Sequence, residues 1–438
     1  MKMLRRALLG GAAVVAMVAG AQAGELEALK AQLETLQNRV QTLETRGAAL
    51  PEGASLITFE RGANTTDELF ADHALDVAPA SRGMTIAITP TADLPAPVAS
   101  IELSGYVRAV ALWHSTEEVP FTAPKDTADL NDFDIWARGQ INVRATTDTA
   151  VGRVTGGIQV RGDMGNHASS TQGVSGAPYT PDLDIRTAWF TWQMTDALSL
   201  TMGQTGSIAA LSNVSYGTIA TPVGLDSTRR PQIRLTYASG PFNLRFGIED
   251  ESASPSVNKM PDVAASLGFN MGMFGFRTGG EIARIRTAAV KKTGWIANAG
   301  INMNLGSMVR LGVGGAYTKG LANDGLMTAG SGNGWEAAVA GLQSLNGTNN
   351  LVKAWAVQGN MTLTMTETTS MLMSAGYIKQ KNADLANLKS GWSVGSALVY
   401  RPVDALQFAV EGDYFSYKAG NGNKGKAALI GVAGWFFF

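Results

Sequence analysis

From about residue 99 to its C-terminus the chain alternates apolar and polar residues with a period of two. The clearest stretch is Asp132–Thr146. One parity holds Phe133, Ile135, Ala137, Gly139, Ile141, Val143 and Ala145; the other holds Asp134, Trp136, Arg138, Gln140, Asn142, Arg144 and Thr146. Successive side chains of a strand point to opposite faces, so such a segment has one greasy side and one wet side. A slip of one residue would swap the whole set. Sixteen segments of this kind begin near residues 100, 132, 151, 183, 197, 231, 241, 261, 273, 294, 308, 351, 367, 390, 405 and 426.

The connections alternate too. Thr147–Ala150, Thr195–Ala197, Ser239–Pro241, Met271–Met273, Gly306–Ser307, Thr364–Glu367 and Arg401–Ala405 are short, whereas 115–131, 164–182, 206–230 and 319–350 are long. A soluble sandwich has no reason to place its long loops at one end only. A membrane barrel does, because its periplasmic turns are short and its external loops long. The fold class predicted is all-β: a sixteen-stranded antiparallel transmembrane β-barrel over 99–438, preceded by an α-helical coiled coil.

Composition agrees with alternation. Hydrophobic residues make up 45% and charged residues 16%, yet mean hydropathy is only +0.02, the average expected of strands that are half apolar. Lys+Arg (35) and Asp+Glu (36) balance, which argues against a nucleic-acid partner. The chain has no Cys, which excludes disulfides and thiol chemistry.

The N-terminus reads as an export signal over 1–23. Lys2, Arg5 and Arg6 precede the apolar run Ala7–Gly20, and Ala21-Gln22-Ala23 fits small-x-small cleavage. Removing those three cations takes the formal net charge from −1 to −4. Over 24–46, Leu26, Leu29, Leu33, Leu36, Val40 and Leu43 are spaced as a coiled-coil seam. The facing e and g pairs are Glu25–Lys30, Gln32–Gln37 and Arg39–Glu44, none of them like-charged, which favours a parallel homo-oligomer. A single helix docked on its own barrel is the alternative. Residues 47–98 read as a Pro-punctuated linker with one short strand at Thr85–Thr89.

Aromatics cluster at segment ends: Trp113, Trp189, Trp192, Trp392, Tyr400, Tyr414, Trp435 and Phe436–Phe438. They are expected to form interfacial girdles. The polar parity should face the lumen. It carries a basic patch of Arg108, Arg138, Arg144, Arg153, Arg161, Arg234 and Arg245, with Arg277 and Arg310 further on. Asp134, Glu249 and Glu281, with Glu102, Glu411 and Asp413, share that parity. Arg keeps its charge and binds carboxylate or phosphate bidentately, so a ladder of Arg in a narrow pore favours anions. The competing reading is a set of Arg–carboxylate braces without selectivity.

Other signals are weaker. His73, His114 and His167 lie far apart and make no catalytic constellation; no enzyme, metal or cofactor is expected. Asp250, Glu251, Asp324 and the Asn421–Lys424 loop lack the spacing of a Ca²⁺ loop. Arg161-Gly162-Asp163 reads as a lumen-facing strand end rather than an adhesion tripeptide.

With its sixteen segments, its export signal and a last strand Ala427–Phe438 (AALIGVAGWFFF), the chain resembles the bacterial outer-membrane diffusion porins. With its N-terminal coiled coil it is similar to the subgroup of DcaP-like channels. The resemblance implies a homotrimer in outer-membrane lipid, passive diffusion of small hydrophilic solutes, and a terminal Phe438 read by the barrel-assembly machinery. It also implies that the third external loop, about Gly206–Arg230 with Asp226, Arg229 and Arg230, folds into the lumen as a constriction. Two other readings stand beside it. One is a substrate-specific channel with an Arg binding site. The other is a structural barrel whose coiled coil tethers peptidoglycan.

Overall fold

The computed structural model describes residues 56–62, 81–89, 99–117, 130–165, 182–211, 219–250, 260–287, 289–330 and 341–438. The export signal, the coiled-coil seam from Leu26 to Leu43, His73 and His167 lie outside the described residues.

The main sheet has eighteen strands, two of them short: Leu56–Arg61 and Met84–Thr89. The second contains the short strand expected at Thr85–Thr89. They meet where Gly62 N–H donates to the Gly83 carbonyl at 2.9 Å.

The other sixteen strands form the barrel: β1 Ala99–Glu117, β2 Leu130–Thr149, β3 Gly152–Gly165, β4 Asp182–Gln193, β5 Leu198–Gly206, β6 Arg229–Ser239, β7 Phe242–Glu249 and β8 Asp262–Asn270. They continue as β9 Phe274–Arg286, β10 Lys291–Leu305, β11 Val309–Lys319, β12 Lys353–Thr364, β13 Thr369–Lys381, β14 Leu388–Val403, β15 Leu406–Ala419 and β16 Lys424–Phe437. Every neighbouring pair is antiparallel, and β16 pairs with β1 from Lys426↔Glu117 to Phe437↔Tyr106, so the sheet closes on itself. All sixteen alternating segments are strands, and the short connections lie together at one end.

Closure has a physical cause. Hydrocarbon offers no partner to a backbone N–H or C=O, so a spanning sheet can leave no edge. At the seam Gly105 N–H donates to the Phe438 carbonyl at 3.0 Å and Phe438 N–H returns to the Gly105 carbonyl at 3.1 Å. Gly105 permits this: a Cβ there would meet the Gln140 carbonyl oxygen and come within 2.6 Å of the Phe438 ring.

The outer face is apolar and exposed. Val107, Ile135, Ile158, Leu235, Phe246, Ile282, Val313, Val410 and Ile430, on nine of the sixteen strands, are each 46–65% exposed, which a water-facing surface would not tolerate as a band. Near the long-loop end Trp295–Tyr317, Trp355–Tyr377 and Trp392–Tyr414 pair at ring distances of 5.5, 5.1 and 5.4 Å, and Trp113–Phe133 at 4.6 Å. Three aromatics expected in a girdle turn inward instead. Trp189, Trp435 and Phe437 stand on the lumen parity and are 5%, 2% and 0% exposed. Parity decides their side, not nearness to a strand end.

Gly105→Val is expected to block the seam and reduce the folded barrel fraction several-fold, read as the heat-modifiable band in electrophoresis. Gly139→Ala, where an added Cβ meets nothing within 4 Å, should leave that fraction unchanged.

Candidate functional site: the barrel lumen

Two long loops enter the lumen. The third, 207–228, carries a two-residue strand Gly224–Leu225 that pairs with Met327–Thr328 of the sixth, 320–352. Ile208, Ala209, Leu211, Val223, Leu225, Leu321, Leu326 and Met327 are buried, most of them in one cluster with Ile296, Ile378, Phe415 and Leu429 from the wall. Burying one such side chain contributes about 1.5–3 kcal/mol.

A loop that leaves water must find partners for its backbone. Polar side chains of the wall supply them. Glu249 accepts the Ser207 hydroxyl at 2.8 Å and the Ile208 N–H at 2.5 Å. Glu411 accepts the Ile219 N–H at 3.0 Å and the Ala220 N–H at 2.7 Å. Ser393 Oγ accepts Val223 N–H and Gln358 Oε1 accepts Leu225 N–H, both at 2.8 Å. Asn298 donates to the Ala209 carbonyl at 2.7 Å, and Tyr417 to the Ala329 carbonyl at 3.0 Å. Gly376 leaves the space that the Val223 carbonyl occupies. The third loop therefore crosses from β7 and β10 to β12–β15.

At the foot of this loop Arg230, 1% exposed, donates to Glu281 at 2.7 Å and to the Asp324 carbonyl, and its guanidinium lies 2.7 Å from the Asp324 carboxylate and 3.6 Å from Glu249. Asp262, also buried, completes this acidic surround. Sequence reasoning put Arg229 and Arg230 in the constriction loop. The structure places both at the start of β6, because Arg229 already pairs with Gly206 and Arg230 with Thr205 in the ladder. Asp324 is the buried partner of Arg230. Asp226 is in the loop. It keeps part of its surface, yet the wall closes around it. Burial pushes its carboxyl up to about 6, against a 2.7 Å bond from Ser227 N–H that favours the carboxylate.

The wall of β1–β3 carries the arginines. Register sets Arg108 opposite Arg138, Arg138 opposite Asp163, and Glu102 opposite Arg144. Arg138 grips Asp163 at 2.6 and 3.1 Å, Arg161 lies 3.4 Å from the same carboxylate, and Arg144 lies 3.4 Å from Glu102. Arg108 sits between the rings of Trp136 and Trp435 at 4.8 and 4.9 Å, and Arg138 covers Trp136 at 5.2 Å. Shared ring faces thus separate two like charges. Arg144 and Arg161 keep 11% and 19% of their side chains exposed, so they are the members of the wall that a solute meets most readily. Asp134 lies 3.5 Å from His114. Arg234 and Arg245 extend the row on β6 and β7, where Arg245 donates to Asn243 at 2.9 Å.

Arg153 stands apart from this patch. It lies beside the β2–β3 turn, 63% exposed, paired with Asp148 at 2.8 Å inside its own hairpin. Alternation puts Trp136 and Asp163 on the lumen side without giving them a role, and Trp435 is expected in the girdle; the structure makes all three partners of the arginines.

The wet, loop-narrowed bore inside an apolar cylinder is the geometry of a channel. A family model, the porin subfamily, matches residues 99–430. The chain belongs to the porin subfamily. This porin is accordingly an outer-membrane channel for diffusion. Among solved structures it is similar to the outer-membrane channel DcaP of Acinetobacter baumannii, with TM-score 0.59 and 18% identity over 78% of this chain and 97% of that one. It is also similar to the anion-selective porin from Comamonas acidovorans, with TM-score 0.53 and 11% identity over 78% of this chain and 100% of that one. At those identities the likeness establishes a shared fold. No curated protein sequence matches the porin.

Glu411→Ala would leave the Ile219 and Ala220 N–H groups without their acceptor, at a cost of about 1–3 kcal/mol for each buried group. Single-channel conductance is expected to rise and become noisier as the loop loosens. A trace identical to the wild type would show that Glu411 does not hold it.

Proposed function

We propose that this porin is a diffusion channel with a preference for small anions such as carboxylates. The carrying observation is how charge is distributed inside the bore. Glu249, Glu281 and Glu411 are engaged by the third loop or by Arg230, so their charge is screened from the path. Arg108, Arg138, Arg144, Arg161, Arg234 and Arg245 line the other side, against Glu102, Asp134 and Asp163. On that side the excess is positive, six arginines against three carboxylates, and in a narrow low-dielectric bore such an excess raises the local concentration of anions along that wall. The name of the Comamonas porin supports the same direction.

Asp226 is the counterweight. Its raised pKa means that the docked loop binds a proton more readily than a solvated Asp would. The docked loop is then most stable below the ordinary carboxylate range and loses that contribution as pH rises through about 6. Above that pH the constriction gains a negative charge.

In this reading residues 1–23 direct export and are removed, and 24–46 bundle three copies in the periplasm. Phe438 marks the last strand for assembly. The face of β3–β8, whose outer end offers Met164, Leu183, Ile185, Ile233, Ile248 and Val263 and, among the described residues, no Trp or Tyr, suits contact with a second copy.

The test is the reversal potential in a salt gradient across a planar bilayer. An anion-signed potential is expected, growing from pH 7 to pH 5, with closures in three steps. Asp226→Asn should hold the pH 5 value throughout, and Arg144→Ala with Arg161→Ala should reduce the preference. A cation-signed potential in the wild type would refute the proposal.

A further inference from the structure

The ten lysines of the barrel strands are not spread around it. Lys291, Lys292, Lys319, Lys353, Lys379, Lys381, Lys389, Lys418, Lys424 and Lys426 all fall in β10–β16, and residues 126–258, which contain β3–β7, hold none. All ten lie at the long-loop ends of their strands. The arginines of β1–β3 face the lumen, whereas the outer rim of β10–β16 carries lysine, with Arg284 exposed at the neighbouring end of β9. Lys292 reaches inward to the Asn349 carbonyl at 2.6 Å. The rest of the row is exposed or half-exposed.

Register makes the row more unusual. Lys319 lies directly opposite Lys353, Lys353 opposite Lys381, and Lys418 opposite Lys424. Like charges in directly opposed cross-strand positions destabilise a sheet. The acid nearest in sequence, Asp384, is engaged elsewhere: it accepts Gly347 N–H at 2.9 Å and Gln343 Nε2 at 2.8 Å, tying the seventh loop to the sixth. Three ammonium groups on three adjacent strands therefore present a repulsive cluster that an anion with several oxygens would turn into an attractive one.

The depth of the cluster identifies the anion. Lys319, Lys353 and Lys379 each stand two residues beyond Tyr317, Trp355 and Tyr377 on the same outer face, or about 7 Å further out along the strand. Tyr317 and Trp355 are directly opposed, as are Tyr377 and Trp392, so a continuous aromatic belt runs beneath the lysines. Such belts sit at the boundary between acyl chains and headgroups. The lysines are then at headgroup level in the leaflet that faces the long loops.

We infer that Lys319, Lys353, Lys379 and Lys381 form a docking surface for the phosphate groups of a phosphorylated, multiply acylated glycolipid of the outer leaflet. The acyl chains lie along the apolar face of β11–β13 below the Trp–Tyr belt. The surface is one-sided, so the lipid would be held on the β10–β16 half and not on the β3–β8 half.

The experiment is native mass spectrometry of the full purified protein with bisphosphorylated lipid A, and with the same lipid A after enzymatic removal of both phosphates. The wild type is expected to retain the phosphorylated form at least about tenfold better. Lys319→Glu with Lys353→Glu and Lys381→Glu should reduce that retention to the dephosphorylated level, and the matching Lys→Arg triple should keep it. Millimolar inorganic phosphate should not displace the lipid. Equal retention of both lipids by the wild type would overturn the inference, whatever the variants do. Displacement by inorganic phosphate would overturn the assignment to a lipid.

Discussion

Everything in this molecule follows from the backbone's need for partners in a medium that offers none. Each N–H and C=O crossing the bilayer must be satisfied by a neighbouring strand, and that demand is met only when β16 returns to β1. The seam between Gly105 and Phe438 completes the ladder at the short-turn end. Once the cylinder is closed, strict two-residue alternation sorts side chains without further instruction. One set meets lipid, as Ile135 and Ile430 do, and the other meets the bore, as Arg138 and Glu411 do.

Inside, the same demand recurs on a smaller scale. A loop cannot lie in a crowded lumen unless the wall accepts its N–H groups, and Glu249, Glu411, Ser393 and Gln358 do so. Ionisable residues consequently fall into three roles by location. Glu249 and Glu411 hold the loop, the arginines of β1–β3 face the path and brace one another through Asp163 and Trp136, and most of the strand lysines occupy the outer rim. An Arg suits the lumen because its planar fork can engage a carboxylate and a ring face together. A Lys suits the rim because its long apolar stem can cross the belt while its charge stays with the headgroups.

The barrel was legible in the sequence because its periodicity is local. The starts of all sixteen strands and the short turns can be read along the chain, and the two-faced character of β2 from Phe133 to Thr146, without any partner strand. The lumen was less legible because its contacts join residues far apart in the chain. Glu411 and Ile219 are separated by 192 positions, and only strand order brings them together. Arg138 and Asp163 face each other through the β2–β3 register, which alternation alone does not specify. Trp435 and Phe437 show a different failure: both parities of the last strand are apolar, so only its pairing with β15 and β1 puts these rings inside. Arg153 shares the parity of the patch, but its position next to a turn gives it a local partner, Asp148.

The central claim is a closed cylinder, apolar outside and wet within, and the absence of native cysteine makes it directly measurable. Single cysteines placed in turn from Phe133 to Thr146 of the protein in lipid vesicles would be treated with a charged, membrane-impermeant thiol reagent. The account requires reactivity at every second position, on the parity of Asp134, Arg138 and Arg144, with Ile135, Ile141 and Val143 protected. Uniform reactivity along the stretch, or labelling on the parity of Ile135, would contradict it.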